Sequence, residues 1–413
     1  MDSEESAERT FVMRIIIHTM YYLPEFGSAP ILMNELASYL TEKGHTVEVI
    51  TTIPRKRNVN YKGRLYIRES NNGFPVKRFW TNATSHPIGR LIAWNIYTIW
   101  TIFNMFTLRK GDIVFLRVPP LQLGLMGVLA KYLKGAKVLI NVQDIHPDLA
   151  IESGILRNPL AIRLAKRFEK WVYDRSEEIV VISKGFKKNL QDKGVTQEKI
   201  MVIPNWVDTD FLRPLPKDNH IARKFSLNGK FVVLYSGTLT ISSFLSMKRV
   251  LEVANFLKKD SDIMFVIVGE GIKKQQLQEE ADKLSLDNVI FIPFQPYHDL
   301  PYILASSDVV LVPLDKEKSQ VSVPSKLYNF MATGRPVLGL ADSSSEVARI
   351  INETNCGICV PPDNVEKIAE AIGALKDSRE YREQLAAHGR KFAVENFSKE
   401  HILRLYEELL SSY

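Results

Sequence analysis

Cysteine is almost missing from this chain: two residues in 413, Cys356 and Cys359 in "NCGICVPP". A structural zinc site needs four ligands, and no second cysteine pair completes this C-x-x-C spacing. A thioredoxin-like redox context is also lacking, so the pair reads as small apolar residues of a strand ahead of Pro361. No secretory signal stands at the start: "MDSEESAERT" is acidic and polar, and a cytoplasmic location is the expectation. No G-x-G-x-x-G follows either of the two strand–loop–helix openings, which disfavours a plain dinucleotide-binding dehydrogenase. No recognised nucleic-acid module accompanies the net charge of +7, so nucleic acid is not an expected partner. Long apolar runs are scarce. The one uncharged stretch, 91–108, is ~18 residues and sits at the lower limit for a membrane span. Its asparagines, threonines and spread aromatics argue against spanning.

What is present is a repeated grammar. A length of 413 residues implies two or three domains. "VMRIIIHTMYYLPEFGSAPILMNELASYLTEKGHTVEVITT" reads as a buried strand over 12–18, a loop with Pro24 and Gly27, a helix to Lys43, a cap at Gly44 and a strand over 46–52. "KFVVLYSGTLTISSFLSMKRVLEVANFLKKDSDIMFVIVGEG" repeats it, with strands at 230–236 and 263–268 around a Gly237 loop and a helix. Two restarted parallel sheets imply two doubly wound α/β domains. The boundary is expected within "NWVDTDFLRPLPKDN", residues 205–219, where prolines and polar residues cluster.

Two surface features stand out. Residues 55–78 hold Arg55, Lys56, Arg57, Lys62, Arg64, Arg68, Lys77 and Arg78 against the single acid Glu69. Directly after them comes the aromatic stretch 91–108, and 161–175 is a second basic helix. One reading is a largely buried helix. The other is a helix that rests on an anionic membrane, giving peripheral contact through 55–78 and 91–108.

"SVPSKLYNFMATGRPV", residues 322–337, carries the chemistry. Pro324 suits a first helical turn because its missing N–H would have no partner there. A helix N-terminus bears about +0.5 of effective charge and free N–H groups, a seat for phosphate. Ser325 adds a hydroxyl, Lys326 adds a full charge, and Gly334 ends the helix. Asp144 stands at the carboxyl end of the strand over 137–142, where open α/β sheets place ligands; capping of the next turn is its plain alternative.

These motifs, in order, resemble glycosyltransferase family 4. "YYLPEFGSAPILMNELASYLTEKGHTVEVITT", "NVQDIHPDLAIESGIL", "IVVISKGFKKNL", "VIPNWVDTDFLRP", "LYSGTL", "FVIVGEG", "DNVIFIPFQPYHDLPYILASSDVVLVPL", "PSKLYNFMATGRPVLG" and "GICVPPDN" run nearly end to end. "QDIHPD" with "PSKLY" is most similar to the bacterial surface-polysaccharide subgroup that includes the fucosyl and N-acetylfucosaminyl transferases of capsule and O-antigen pathways. The resemblance implies a GT-B fold: an acceptor-binding Rossmann-like domain over 1–208, a nucleotide-sugar-binding one over 209–398 with a cleft between them, and a helix over 399–413 crossing back to the first. It implies a hexosyltransferase that retains anomeric configuration and moves sugar from a UDP- or GDP-sugar to a lipid-linked saccharide, beside the inner face of the membrane, with no cofactor or metal. Asp144 and Lys326 become the expected catalytic groups. Gly27, Ser28, Gly237, Thr238, Glu270, Gly271, Phe294, Gln295, Pro296, Ser325, Lys326 and Asn329 become the expected donor contacts. Gln143 and His146 fall on the acceptor side. The chain departs from the family where two glutamates are usual: Val321 and Asn329 stand there. Phe244 replaces a glycine, and the loop after Gly237 lacks its usual bases. Val321 and Phe244 motivate a second reading, a GT-B subunit that binds a partner without catalysis; a third, a sugar-nucleotide epimerase of similar fold, is disfavoured by the membrane-like helix and by the lack of an acidic network around Asn329.

Overall fold

The computed structural model describes residues 12–25, 27–54, 61, 63–82, 86–240, 243–314 and 326–413. They fall into two compact units, Met1–Pro204 with Leu403–Tyr413, and Asn205–Ile402.

The first unit is built on eight strands: β1 (Arg14–His18), β2 (Thr46–Thr52), β3 (Tyr66–Asn71), β4 (Phe74–Phe79), β5 (Ile113–Val118), β6 (Lys137–Val142), β7 (Glu178–Val181) and β8 (Ile200–Val202). Their order is β3-β4-β2-β1-β5-β6-β7-β8, parallel except for the β3–β4 hairpin. All six residues of β5 are buried, as in a sheet covered on both faces. Each such Val, Leu, Ile or Phe contributes roughly 1.5–3 kcal/mol of hydrophobic stabilisation. The second unit holds β9 (Phe231–Ser236), β10 (Ile263–Val268), β11 (Val289–Ile292), β12 (Val309–Pro313), β13 (Val337–Leu340) and β14 (Gly357–Val360). Its order, β11-β10-β9-β12-β13-β14, is the doubly wound Rossmann pattern. Strand order reverses at β1/β5 in one sheet and at β9/β12 in the other. At such points the loops after the carboxyl ends part and leave a crevice.

The uncharged stretch forms most of the helix Pro87–Asn104, followed by a 3-10 turn, Met105–Thr107. Proline at its first turn explains a start ahead of the aromatic run. The last helix, Lys399–Ser411, begins in the second unit, and from Leu403 onward the chain belongs to the first. There the Tyr406 hydroxyl accepts from Asn141 Nδ2 at 2.8 Å, and Tyr39 donates to Glu407 at 2.6 Å. Among the described residues, no helix is long and apolar enough to cross a membrane.

Candidate functional site

At the switch point of the second sheet, β9 ends in Tyr235-Ser236 and turns through Gly237-Thr238. The turn is stitched to the end of β10: Gly237 N–H donates to Val268 C=O at 2.9 Å, and Leu239 N–H to Glu270 C=O at 2.9 Å. The two loops touch so closely that a Cβ on Gly269 would lie 1.9 Å from the Gly237 carbonyl, and one on Gly271 2.0 Å from that of Leu239. Only glycine permits this approach.

The helix Lys326–Ala332 opens on the same turn. Lys326 Nζ stands 4.1 Å from the Tyr235 ring centroid, and 3.4 Å from where a Gly237 Cβ would be. Burial pushes this ammonium down to about 7, and among the described residues no carboxylate offsets that burial. An unneutralised cation against a glycine turn is a seat for an anion. Tyr235, which carries the ammonium on its ring, has its own hydroxyl pushed up to about 12 by burial. Asn329 is half-buried one turn further along the helix, and Thr238 is exposed at the turn. Glu270 is tied to Lys274 Nζ at 2.7 Å. Phe294 and Pro296 are exposed, while Gln295 donates to Pro293 C=O at 2.9 Å and accepts from Lys224 at 3.2 Å. Ser325, Pro324 and Val321 lie outside the described residues. Phe244 opens the helix Phe244–Phe256, and Lys273 Nζ stands 4.8 Å from its ring centroid. A base from the loop after β10 thus stands beside the turn that lacks one of its own.

In the first unit, Gly27 caps the helix Ser28–Glu42 and both Gly27 and Ser28 are exposed. Asp144 follows β6 and is half-buried; among the described residues no hydrogen bond or ion pair holds its carboxylate, and the next helix takes no side-chain cap. Burial raises its pKa to about 6, against the pull of the Arg117 and Arg90 charges. Arg117, from buried β5, has itself been lowered to about 10 by burial, and its Nε has no partner among the described residues. Gln143 donates to Asn141 Oδ1 at 2.7 Å, joining the Asn141–Tyr406 pair. His146 meets Trp94 edge-on at 5.4 Å and is lowered to about 4 by burial and Arg90, so it is neutral at physiological pH. Among the described residues, no group of three or more His, Cys, Asp or Glu could hold a metal ion.

Residues 29–206 match the model of the glycosyl transferase 4-like domain, and residues 217–392 match that of glycosyl transferases group 1. The chain is a glycosyltransferase. It is 28% identical over 414 residues to WcaI of Escherichia coli, provisionally named a colanic acid biosynthesis glycosyl transferase, covering 95% of this chain and 98% of that one. WbjE of Pseudomonas aeruginosa, named as a glycosyltransferase, is 26% identical over 274 residues, 65% of this chain and 66% of that one. Anabaena HepE, solved with UDP, superposes with a TM-score of 0.73 at 15% identity, covering 97% of this chain and 100% of that one. Sucrose-phosphate synthase of Thermosynechococcus elongatus gives 0.74 at 16% identity, with coverages of 97% and 100%. These likenesses show the fold: two Rossmann-like domains of the GT-B class, as the motifs imply.

Within this transferase, two site residues escaped the sequence reading. Arg117 left a signal, as the lone charge in "IVFLRV", a strand otherwise apolar. Tyr235 left none, because its value lies in the ammonium it carries, which comes from a distant helix.

Proposed function

We propose that this glycosyltransferase takes a sugar from a nucleoside diphosphate donor, a UDP- or GDP-sugar, and adds it to a lipid-linked saccharide in cell-surface polysaccharide biosynthesis, retaining the anomeric configuration. The observation that carries the reading is the Lys326 ammonium held against the Gly237 turn, with no carboxylate beside it among the described residues, which supports a diphosphate as its partner. In the reaction the bond from the anomeric carbon to the phosphate oxygen breaks. The acceptor oxygen bonds that carbon on the same face, and the hydroxyl proton passes to the leaving phosphate. Lys326 offsets the charge growing on that phosphate. Asp144, ionised above about pH 6, offsets positive charge on the sugar or orients the acceptor. The name of WcaI supports a polysaccharide product.

The lipid-linked acceptor draws support from one face of the first unit. Ile88, Leu91, Ile92, Ile99 and Phe103 are exposed along the helix Pro87–Asn104, spaced as one stripe. In the 55–78 stretch, Lys77 and Arg78 turn inward to Glu48 and Glu69. Arg64 and Arg68 stay exposed, and residues 55–60 and 62 lie outside the described residues. The contact we propose is an apolar stripe with a basic border, on the inner face of the membrane.

Nucleotide-sugars screened for thermal stabilisation, then incubated with membrane extract, test the reading. We expect one UDP- or GDP-sugar to stabilise the protein and to label an extractable lipid in the configuration of the donor. Failure of UDP, GDP, ADP and dTDP to bind at all would favour the non-catalytic subunit instead.

A further inference from the structure

A second cationic site lies at the other end of the second sheet. Gly237 and Lys326 stand after the carboxyl end of β9; this site is bounded by residues just ahead of β12 and β13 and by the helix Arg379–Phe397. It is a groove of about 590 Å3, within the size range of small-molecule pockets. Four guanidinium groups line it, Arg335, Arg379, Arg382 and Arg390, of which Arg379 pairs with Glu383.

The other three forks are held by main-chain carbonyls. Arg335 Nη2 donates to the carbonyls of Leu215 (2.8 Å) and Ala305 (2.7 Å). Arg382 Nη1 donates to those of Leu375 and Lys376. Arg390 Nη1 donates to Thr209 (3.1 Å), Leu212 (2.9 Å) and Ala332 (2.8 Å). Every acceptor is a neutral carbonyl. Each fork uses one terminal nitrogen, and Arg335 Nε is buried without a partner among the described residues. The two carboxylates of the groove are already taken, Asp308 by Lys217 and Glu383 by Arg379. Burial disfavours the charged form of both Arg335 and Arg390 by more than the charges of Asp308 and Asp210 restore, so an anion beside them would relieve that cost.

We propose that this groove binds a phosphate-bearing small molecule, held by the forks of Arg335, Arg382 and Arg390 at a site separate from the sugar-donor crevice. Planar forks match phosphate oxygens two at a time, and the two carboxylates of the groove, paired with Lys217 and Arg379, leave these three forks open to them. The site stands on its own residues and does not rest on the reading of Lys326.

The test uses the full chain carrying Lys326→Ala, so that the crevice at Gly237 contributes little. Inorganic pyrophosphate, glucose 6-phosphate and UDP are titrated by calorimetry. We expect pyrophosphate or glucose 6-phosphate to bind at a single site, with affinity falling as salt rises; glucose 6-phosphate alone would assign a sugar phosphate, and UDP, whose base and ribose contacts the crevice would keep, counts for the groove only where Ala387→Glu weakens it. Ala387 lies exposed in the groove, on a helix that tolerates glutamate. Adding Ala387→Glu should weaken that binding by about tenfold or more, since a fixed carboxylate competes for the forks. No binding of pyrophosphate or glucose 6-phosphate, or binding of either that is indifferent to Ala387→Glu, overturns the proposal. Should the double variant fail to fold, hydrogen exchange on the unmutated protein decides. Protection by glucose 6-phosphate or pyrophosphate at 334–336 and 379–390 supports the site; protection confined to the Lys326 turn overturns it.

Discussion

At the residue scale, Lys326 carries a testable electrostatic signature. Its ammonium is lowered to about 7 by burial, so near neutral pH the empty site is close to half charged. A bound diphosphate favours the charged form, so binding should take up a proton and weaken as pH rises from about 6.5 to about 8.5. Calorimetry in buffers of different ionisation enthalpy checks this. Lys326→Ala should cost roughly 1.5–3 kcal/mol of diphosphate affinity, on the order of 10- to 100-fold. Lys326→Arg should recover only part of it, because a planar fork does not replace a compact ammonium over the Tyr235 ring. A nucleoside without phosphates should bind the variants and the unmutated protein alike. Asp144 titrates the other way. Its pKa is raised to about 6, so transfer should climb between about pH 5 and pH 7 as the carboxylate ionises. In Asp144→Asn that limb should vanish and turnover should fall, with sugar-donor affinity kept; an unchanged pH–rate profile would leave Asp144 without a role in the reaction.

At the scale of elements, the site depends on how near two loops come. Gly269 and Gly271 let the chain after β10 lie against the turn after β9. Gly269→Ala places a methyl 1.9 Å from the Gly237 carbonyl, so the turn must move. We expect a loss of about 1–3 kcal/mol of stability in urea unfolding and a larger loss of nucleotide binding, because the displaced turn is the one beside Lys326. These elements were legible in the sequence for different reasons. β6 occupies 137–142 as its apolar run implies, bounded by Gly135 at one end and Gln143-Asp144 at the other. The helix from Pro87 starts ahead of the aromatic stretch, and its last residues tighten into a 3-10 turn, an end effect that apolar patterning does not encode. What could not be read was the partner of a charge. Lys77 and Arg78 look like surface bases in a basic run, yet Glu48 and Glu69 on neighbouring strands draw them inward. Strand neighbours follow from sheet order, not from local spacing. The same holds for Lys326 and Tyr235: the lysine was legible as a motif, its burial on an aromatic ring was not.

At the scale of the whole molecule, charge and apolar surface point to one physical test. Vesicles of anionic lipid should carry the protein in flotation at low salt, and release it as salt screens Arg64, Arg68 and their neighbours. Ile92→Ser with Phe103→Ser, both on the exposed stripe, should reduce flotation while leaving unfolding unchanged. Equal absence from anionic and neutral vesicles at low salt would remove the membrane contact from the proposed function. The shared last helix has a different consequence, one of timing. A ribosome releases residues 12–204 long before Tyr406, yet the buried Asn141 Nδ2 finds its partner, among the described residues, in that tyrosine, and Glu407 is what the Tyr39 hydroxyl binds. The unit that is synthesised first is therefore the one completed last. During translation it waits with a polar group open in its core, while the second unit, contiguous from Asn205 to Ile402, has all its strands in hand and can close.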